Sequence, residues 1–451
     1  MSYIQEIHNR EVHDMEQTVF TDKSLPRMYF RFALPVVFSM VITMVYNLAD
    51  TYFIASTGNT ALVAGVSLCA PVFTFLMAIG NIFAQGGCSL ISRLLGSQDT
   101  QALRHVSAFC VYVSLFSGVA IGIIMVLFHT SILHMLGAGT DTISYASQYY
   151  TVLVMGAPLI IVSFVYTNLL RAVGMSKEAM FGTVSGALIN IILDPIFIFV
   201  MGLGSGGAGI ATVLGYLFED LYCFWIFWKK NELLSVTLRE VSIPKENVGQ
   251  IFGIGIPASL SNIMTSVSVG VINQLLLPYG TEKIATMGIV LKAYYIVLLV
   301  LTGLAFGGQP LYGYYFGSND RKRLLELYRF CVCVISETAV ILSLVLFVTA
   351  PQILGCFLED ARLIADGVIM LRLQVVSTVF VGFVLLNTIV FQSAGKIAAS
   401  FWLSVSRQGL FFLPVILICG HVTGYYGILA SQAIADVVTA VAAGILLAYF
   451  V

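Results

Sequence analysis

Residues 87–99 read GCSLISRLLGSQD, and residues 308–320 read GQPLYGYYFGSND. Glycine, leucine, glycine, serine and aspartate recur in the two stretches at the same spacing. A second pair follows in the same order, with Arg-Ala-Val-Gly at 171–174 and Gln-Ser-Ala-Gly at 392–395. Recurrence at a fixed long interval indicates a duplicated unit. The chain is therefore predicted to consist of two homologous halves.

The composition indicates that the solvent around most of this chain is lipid. The 451 residues include only 22 basic and 23 acidic ones, so 10% are charged, and 59% are hydrophobic. The mean hydropathy is +0.94. Soluble globular domains contain about 25% charged residues. These values exclude a soluble enzyme and a secreted disulfide scaffold, and the net charge of −1 gives no support for nucleic-acid binding.

Twelve apolar runs follow one another, separated by short polar breaks. Each is long enough for a helix to cross the bilayer, which takes about 20 residues. The predicted spans are 29–55, 62–94, 101–128, 145–171, 178–201, 207–228, 249–279, 284–316, 323–349, 363–394, 397–419 and 424–450. The fold class is thus an all-α integral membrane protein with twelve transmembrane helices.

The repeat divides these helices into two lobes of six. Residues 1–28 are polar and form an N-terminal tail, 29–228 form the N-lobe, 229–248 a polar linker and 249–451 the C-lobe. Because six is even, both halves enter the membrane from the same side. The lobes are therefore predicted to be related by a pseudo-two-fold axis along the membrane normal.

Lysine and arginine are distributed unequally between the two sides of this topology. Most of them fall in the N-terminal tail and in the loops on the same side, whereas only Lys283 and Arg362 lie in loops on the opposite side. Loops rich in lysine and arginine remain in the cytoplasm. We expect a multi-pass protein of the cell membrane with both termini cytoplasmic.

Two carboxyl groups lie within the apolar spans of the first half. Asp50 follows Tyr46 and Asn47 by four and three residues, so the three side chains share one face of the first helix. Asp194 lies in NIILDPIFIF of the fifth span, four residues after Asn190. Ionisable residues in the membrane are costly and are functional candidates by default.

Two chemistries fit these acids. Pro195 follows Asp194 and prevents the carbonyl of Ile191 from accepting a helical hydrogen bond. Carboxylate, amide and carbonyl oxygens suit Na⁺, which predicts a sodium site at Asp50, Asp194 and Asn190. The same carboxyl pair can instead share a proton. The residues alone do not choose between them.

The remaining intramembrane charges form a weaker pattern. Glu219, Asp220 and Asp436 are interpreted as structural. Lys292, Glu337 and Arg407 are expected to neutralise one another in the second half, although Lys292 is also a candidate for the substrate cavity. Aligned on the repeat, Asp50 falls near Asn273. The predicted substrate cavity comprises Tyr46, Asn47, Asn273 and Lys292.

Several classes of membrane machine are excluded by missing motifs. Gly395-Lys396 is followed by Ile397, and position 390 is Val, so there is no Walker A loop for ATP. No TVGYG-like filter indicates a channel. The sequence has no HExxH motif, which argues against an intramembrane metalloenzyme. We expect a transporter rather than an enzyme, without a cofactor.

The sequence resembles the multidrug and toxic compound extrusion (MATE) family. The resemblance is carried, in family order over about residues 25–450, by LADTYFIAS, ISRLLGSQD, LLRAVGMSKEAM, NIILDPIFIF, GAGIAT and GIGIP. The similar branch is that of the bacterial MepA-type and DinF-like proteins. The resemblance implies two six-helix lobes around a central cavity. It also implies an antiporter that expels amphipathic, often cationic drugs in exchange for Na⁺ or H⁺.

The same resemblance implies a cation site in the first lobe. Transferred by position, its residues are Asp50, Asn168, Asn190, Asp194 and Thr212. Some members of the family have further acids in the seventh and tenth helices. Here neither SLSNIMTSVSVGVINQ nor VVSTVFVGFVLLNTIVFQ contains an acid, which leaves cation coupling to the first lobe.

Three functions are compatible with these features. The leading hypothesis is a monomeric, cation-coupled (H⁺ or Na⁺) antiporter that exports amphipathic or cationic small molecules by alternating access. The alternative is a lipid-linked saccharide flippase, which needs a basic cavity for pyrophosphate, and only Lys292, Arg372 and Arg407 are available for it. The third is a membrane scaffold that transports nothing and has no need for paired acids.

Overall fold

A computed structural model describes residues 20, 24–229 and 233–450, which form helices and no strand. Most of the predicted tail 1–28 and part of the linker 229–248 lie outside the described residues. The helices of the first half are α1 Leu25–Ala55, α2 Thr60–Ser67, α3 Ala70–Gly96, α4 Thr100–Leu127, α5 His129–Met135, α6 Ile143–Met155, α7 Ala157–Ala172, α8 Ser176–Pro195 and α9 Gly204–Lys229.

The second half repeats the order of membrane-crossing segments. They are α10 Lys245–Leu276, α11 Thr281–Gly317, α12 Arg321–Gly355, α13 Ala361–Val376, α14 Thr378–Ser393, α15 Ile397–Val405, α16 Phe412–Thr423 and α17 Tyr425–Phe450. Ten helical segments of the described chain are long and apolar enough to cross a membrane, and two bent pairs bring the number to twelve. The predicted fold class is therefore confirmed.

The bends lie inside spans that the sequence predicted as single helices. The fourth span bends by 51° between α6 and α7, and the tenth bends by 41° between α13 and α14. The second span is interrupted between α2 and α3. Pro71 and Pro158 stand in the first turns of α3 and α7 and lack the N–H that would continue the preceding helix.

The two lobes meet along pairs of helices that cross at glycines. Helix α1 packs on α11, where Gly307 lies against Ala33. Helix α3 packs on α10, where Gly86 lies against the backbone of Ile251. These contacts are in the half of the bundle where α1 begins. Absence of a side chain at the crossing lets the backbones approach closely, as in membrane helix pairs generally.

The duplicated GSQD and GSND stretches form matching helix-to-helix turns. Gln98 and Asn319 both adopt a left-handed backbone, with φ of 61° and 56°. One residue later, Asp99 and Asp320 cap the next helix, each accepting a hydrogen bond of 3.0 Å from the backbone N–H three residues on. Such caps satisfy N–H groups that a helix start leaves without partners. The repeated sequence thus forms the same capped turn in both lobes.

The two turns also meet each other across the lobe interface. A Cβ on Gly96 would collide with the carbonyl oxygen of Tyr314, and a Cβ on Gly317 would collide with the carbonyl oxygen of Arg93. The contacts are reciprocal, as expected for an approximate two-fold axis between the turns. They close the lobe interface at the end of the bundle where α1 begins.

The linker returns along α4 before the second lobe starts. The hydroxyl of Tyr112 donates to the carbonyl of Val236 at 2.7 Å, and the backbone N–H of Ser235 donates to the hydroxyl of Ser107 at 2.8 Å. Arg104 forms an ion pair of 3.3 Å with Glu240. The described part of the linker, 233–244, is therefore fastened to the first lobe.

Candidate functional site

A cavity of about 620 Å³ lies between the lobes and is lined by residues of both halves. Its walls combine apolar groups with hydroxyls and side-chain amides. Within the described chain, the charged residues of the lining are Arg171, Glu219 and Arg407. A concave site with an apolar body and few polar groups is typical of small-molecule binding.

The structure places most of the sequence-predicted residues on the first-lobe wall of this cavity. Those that line it are Tyr46, Asn47, Asn168, Asn190 and Thr212. Asn273 and Lys292 are outside the lining, and the side chain of Lys292 is exposed on α11. The second-lobe wall is formed instead by α10, α11, α14 and the segment after α15.

Asp50 and Asp194 come together from α1 and α8. Their carboxyl groups lie within hydrogen-bonding reach of each other. Asp194 is fully buried, and Oδ1 of Asp50 is buried with no hydrogen-bond partner among the described residues. Two carboxylates at this separation repel each other strongly. The repulsion is relieved when one of them binds a proton or when a cation lies between them. The pair is thus suited to binding one.

The turn of α8 that precedes Asp194 connects this acid pair to the cavity. Asn190, four residues before Asp194, donates its amide to the hydroxyl of Thr212 at 3.5 Å. Both residues are buried and line the cavity. Tyr149 also contacts Thr212. An oxygen-rich cluster therefore lies between the acid pair and the cavity.

A backbone irregularity positions Asp194. Pro195 has no N–H, so the carbonyl of Ile191 has no partner four residues later, and a π-helical turn follows at Ile196–Val200. Single π turns inside membrane helices frequently mark functional sites. The irregularity lies directly beside the buried carboxyl group.

Two further contacts organise the first-lobe wall. The hydroxyls of Tyr46 and Tyr216 are 3.3 Å apart and join α1 to α9. Asn168 donates its amide to the carbonyl of Phe164 at 2.8 Å, four residues back on α7. Asn47 likewise donates to the carbonyl of Thr43 at 2.8 Å. These bonds hold the amide groups in place along the cavity.

Glu219 has a more prominent position than the sequence predicted. It is buried, lines the cavity, and accepts a hydrogen bond of 2.8 Å from the hydroxyl of Thr183. Arg171, also on the lining, is close enough to interact with it electrostatically. Glu219 follows Tyr216 by three residues in the sequence, and this helical spacing was the available signal.

The expected neutralisation among Lys292, Glu337 and Arg407 is wrong. Arg407 instead pairs with Asp436, with 3.0 Å between Nε and Oδ1, and Asp436 is fully buried. Lys292 and Glu337 have exposed side chains on α11 and α12. Lys292 and Glu337 are therefore directed away from the protein interior, whereas Arg407 is largely buried and already has a carboxylate partner. The structural interpretation of Asp436 agrees with this contact.

Within the described chain, ten helices and two bent pairs that can cross a membrane form two homologous lobes, with a cavity between them and a buried acid pair beside it. This arrangement defines a transporter of the repeat-built class. The MatE family model matches residues 35–196 and 257–418, one segment in each half. The chain therefore belongs to the MatE family, that is, the multidrug and toxic compound extrusion transporters.

Named relatives match this chain over nearly its whole length. It is 31% identical over 431 residues to the multidrug export protein MepA of Staphylococcus saprophyticus, covering 95% of each protein. It is 30% identical over 433 residues to MepA of Staphylococcus aureus, again covering 95% of each.

Solved structures show the same architecture. A crystal structure of MATE in the bent conformation superposes with a TM-score of 0.88 at 26% identity, covering 95% of both chains. An outward-facing multidrug resistance MATE transporter of the MOP superfamily superposes with a TM-score of 0.86 at 27% identity, covering 92% of this chain and 93% of that one.

Proposed function

We propose that this protein is a cation-coupled antiporter that exports amphipathic, often cationic drugs by alternating access, in exchange for H⁺ or Na⁺. The observation that carries the proposal is the carboxyl pair Asp50–Asp194, which lies beside a cavity between two lobes. The names of the MepA relatives, which describe multidrug export, support the choice of substrate class.

The coupling site consists of the acid pair together with Asn190 and Thr212. Carboxylate, amide and hydroxyl oxygens are ligands for Na⁺, and the same carboxyls accept H⁺. Binding of one such ion lowers the negative charge of the pair by one and changes how α1 and α8 pack near the cavity. A cationic drug and the coupling ion then compete for the same negative charge, which is the requirement for exchange. Asn168 extends the polar wall of this site.

The orientation is inferred from the distribution of lysine and arginine. We place both termini in the cytoplasm, so that the lobe contacts at Gly96 and Gly317 close the cytoplasmic end. The proposed units are the tail 1–28, the N-lobe 29–228, the linker 229–248 and the C-lobe 249–451. The protein is proposed to act as a monomer in the cell membrane, without a cofactor.

The flippase alternative is less well supported. A pyrophosphate group needs an excess of positive charge in the cavity. Both arginines on the lining are next to carboxylates, Arg171 beside Glu219 and Arg407 paired with Asp436. Lys292 is outside the lining, and Arg372 donates to the carbonyl of Phe347. The cavity therefore has little excess positive charge.

The test is dye efflux from proteoliposomes under one imposed gradient at a time. Purified protein is reconstituted with a cationic dye inside, and the release rate is measured under a Na⁺ gradient at constant pH and then under a pH gradient without Na⁺. We expect one gradient to accelerate efflux at least severalfold over liposomes without protein. Efflux that neither gradient accelerates, over a panel of cationic dyes, would refute cation-coupled export.

A further inference from the structure

Arg407 and Asp436 form a fixed ion pair at the second-lobe wall of the cavity. Arg407 lies in a π-helical turn, Ser406–Leu410, after α15. Asp436 accepts three hydrogen bonds, from Arg407 at 3.0 Å, from the hydroxyl of Ser377 at 2.8 Å and from the amide of Gln432 at 3.1 Å. The carboxylate therefore has partners on three sides and holds the arginine by its Nε.

The other end of the Arg407 guanidinium has donors that are not used by the ion pair. Arginine has five N–H donors, and only Nε of Arg407 makes a hydrogen bond within the described chain. Its side chain is 14% exposed, whereas that of Asp436 is 0% exposed. Because Arg407 lines the cavity and Asp436 does not, the two Nη groups are the donors of this arginine that remain available to a ligand in the cavity.

The turn that presents Arg407 is anchored by serines of α10. Ser261 donates its hydroxyl to the carbonyl of Ser404 at 2.9 Å, and Ser268 donates to the carbonyl of Gln408 at 2.7 Å. These bonds satisfy carbonyls on either side of the residue and restrict its backbone. A guanidinium held at one end and open at the other is preorganised to receive a planar anion.

The charges around the cavity also limit which ligand suits this arginine. Arg407 is balanced by Asp436, and Arg171 on the opposite wall is close to Glu219. A simple anion at Arg407 would add uncompensated negative charge in a weakly polar space, which is costly. A zwitterion brings its own counter-charge and avoids this cost.

We propose that Arg407 forms an anion subsite of the drug cavity, which binds the carboxylate of amphipathic zwitterions while their cationic group faces Glu219 on the first-lobe wall. The proposal rests on the proposed function, because it assumes that this cavity binds drugs. It assigns the second lobe a role in recognising the anionic group of the substrate.

Two dyes that differ in one functional group test the proposal. Rhodamine 123 is a cation with a methyl ester, and rhodamine 110 is the corresponding free acid with a carboxylate. Fluorescence polarisation with the purified full-length protein gives both dissociation constants. The variant combines Arg407→Gln with Asp436→Asn, which removes both charges and leaves no buried carboxylate without a partner.

We expect the double variant to bind rhodamine 110 about tenfold more weakly, because it loses charge-assisted hydrogen bonds, and to bind rhodamine 123 nearly unchanged. Asp436→Asn alone retains the guanidinium and is expected to bind both dyes. Lys292→Gln, which removes a positive charge outside the lining, is the control and should leave both constants unchanged.

An unchanged ratio of the two constants in the double variant overturns the proposal, as does wild-type protein that binds rhodamine 123 but not rhodamine 110. If the double variant does not fold, Arg407→Lys replaces it, since lysine keeps the charge but loses the planar fork. Arg407→Lys should weaken the binding of rhodamine 110 and leave that of rhodamine 123 unchanged. An equal effect on the binding of both dyes overturns the proposal. Wild-type protein that binds neither dye refutes drug binding by this cavity, and the proposed function with it.

Discussion

Asp50 and Asp194 lie within hydrogen-bonding reach of each other although they belong to the first and fifth membrane-crossing segments. Their contact joins α1 to α8, which pack along each other in the first lobe. The charge on this pair therefore affects the position of α1, and α1 also packs on α11 of the second lobe. The same helix thus links the ion site to the lobe interface.

Replacing either carboxyl group is expected to abolish gradient-driven export. Asp50→Asn and Asp194→Asn each keep the size of the side chain but remove the charge that binds H⁺ or Na⁺. We expect at least a tenfold loss of dye efflux in proteoliposomes with an unchanged elution profile, and weaker binding of a cationic dye because the negative charge for which it competes is reduced. Asp141→Asn, in an exposed loop, is the control. Full activity of both site variants would show that the pair does not couple transport.

Pro195→Ala tests whether the irregular end of α8 is functional. Alanine restores a donor for the carbonyl of Ile191, so we expect a higher unfolding temperature. We also expect severalfold slower export, because the regular helix changes the orientation of the Asp194 carboxyl group. Pro351→Ala, which removes an exposed proline from inside α12, should also stabilise the protein without slowing export. Equal export rates for Pro195→Ala and the wild type would contradict a role for this proline.

Much of the architecture could be predicted because it follows from local patterns. Run length and hydropathy located the twelve spans, and the duplicated Gly-Ser-x-Asp turns defined the two lobes. The helical spacing of Asn190 and Asp194 predicted that both would lie on one face of α8. That Asp50 would reach Asp194 was a prediction from position and resemblance, and the structure shows the contact.

Other features depend on tertiary contacts that no local pattern contains. Arg407 and Asp436 lie on different helices, and nothing in their spacing distinguishes this pairing from one between Arg407 and Glu337. The burial of Asp436 and the exposure of Glu337 decide it. The breaks at Pro71 and Pro158 do not interrupt the apolar runs, so the hydropathy pattern predicts continuous helices there.

The linker contact at Glu240 is expected to weaken in acid. Ser235 and then Arg104, which lies 3.3 Å from the carboxylate, hold the pKa of Glu240 below its ordinary value of 4.5. A carboxyl with a lowered pKa in the folded state stabilises the fold above the unfolded pKa, and the contribution is lost as the pH falls through the folded value. For a partly exposed pair it amounts to less than about 1 kcal/mol.

A spin label on Ser242→Cys reports this contact, since Ser242 is exposed two residues after Glu240. We expect the label to become more mobile as the pH falls below the ordinary pKa of a glutamate and through the lowered pKa of Glu240. In the Glu240→Gln background the mobility should no longer change over this range. An identical acid response in both proteins would assign the change to another group.

The reciprocal glycines at the lobe interface are expected to control which conformation is populated. In Gly96→Ala the new Cβ meets the carbonyl oxygen of Tyr314, and in Gly317→Ala it meets that of Arg93. Backbone atoms cannot rotate away, so each change costs about 1–3 kcal/mol in the state in which the turns touch. A state with the turns separated does not incur this cost, so its population should rise about 5- to 150-fold relative to the closed state.

Distances between spin labels on Gln101→Cys and Lys322→Cys measure this shift, because both positions are exposed at the starts of the helices that follow the two turns. The exposed thiols are first removed by Cys333→Ser and Cys356→Ser. We expect a longer distance in either glycine variant. Gly288→Ala, on the same helix as Gly317 but with open space around it, should keep the wild-type distance. If all three variants gave the wild-type distance, the contact of the two turns would not determine the closed conformation, and the glycines would matter only for local packing.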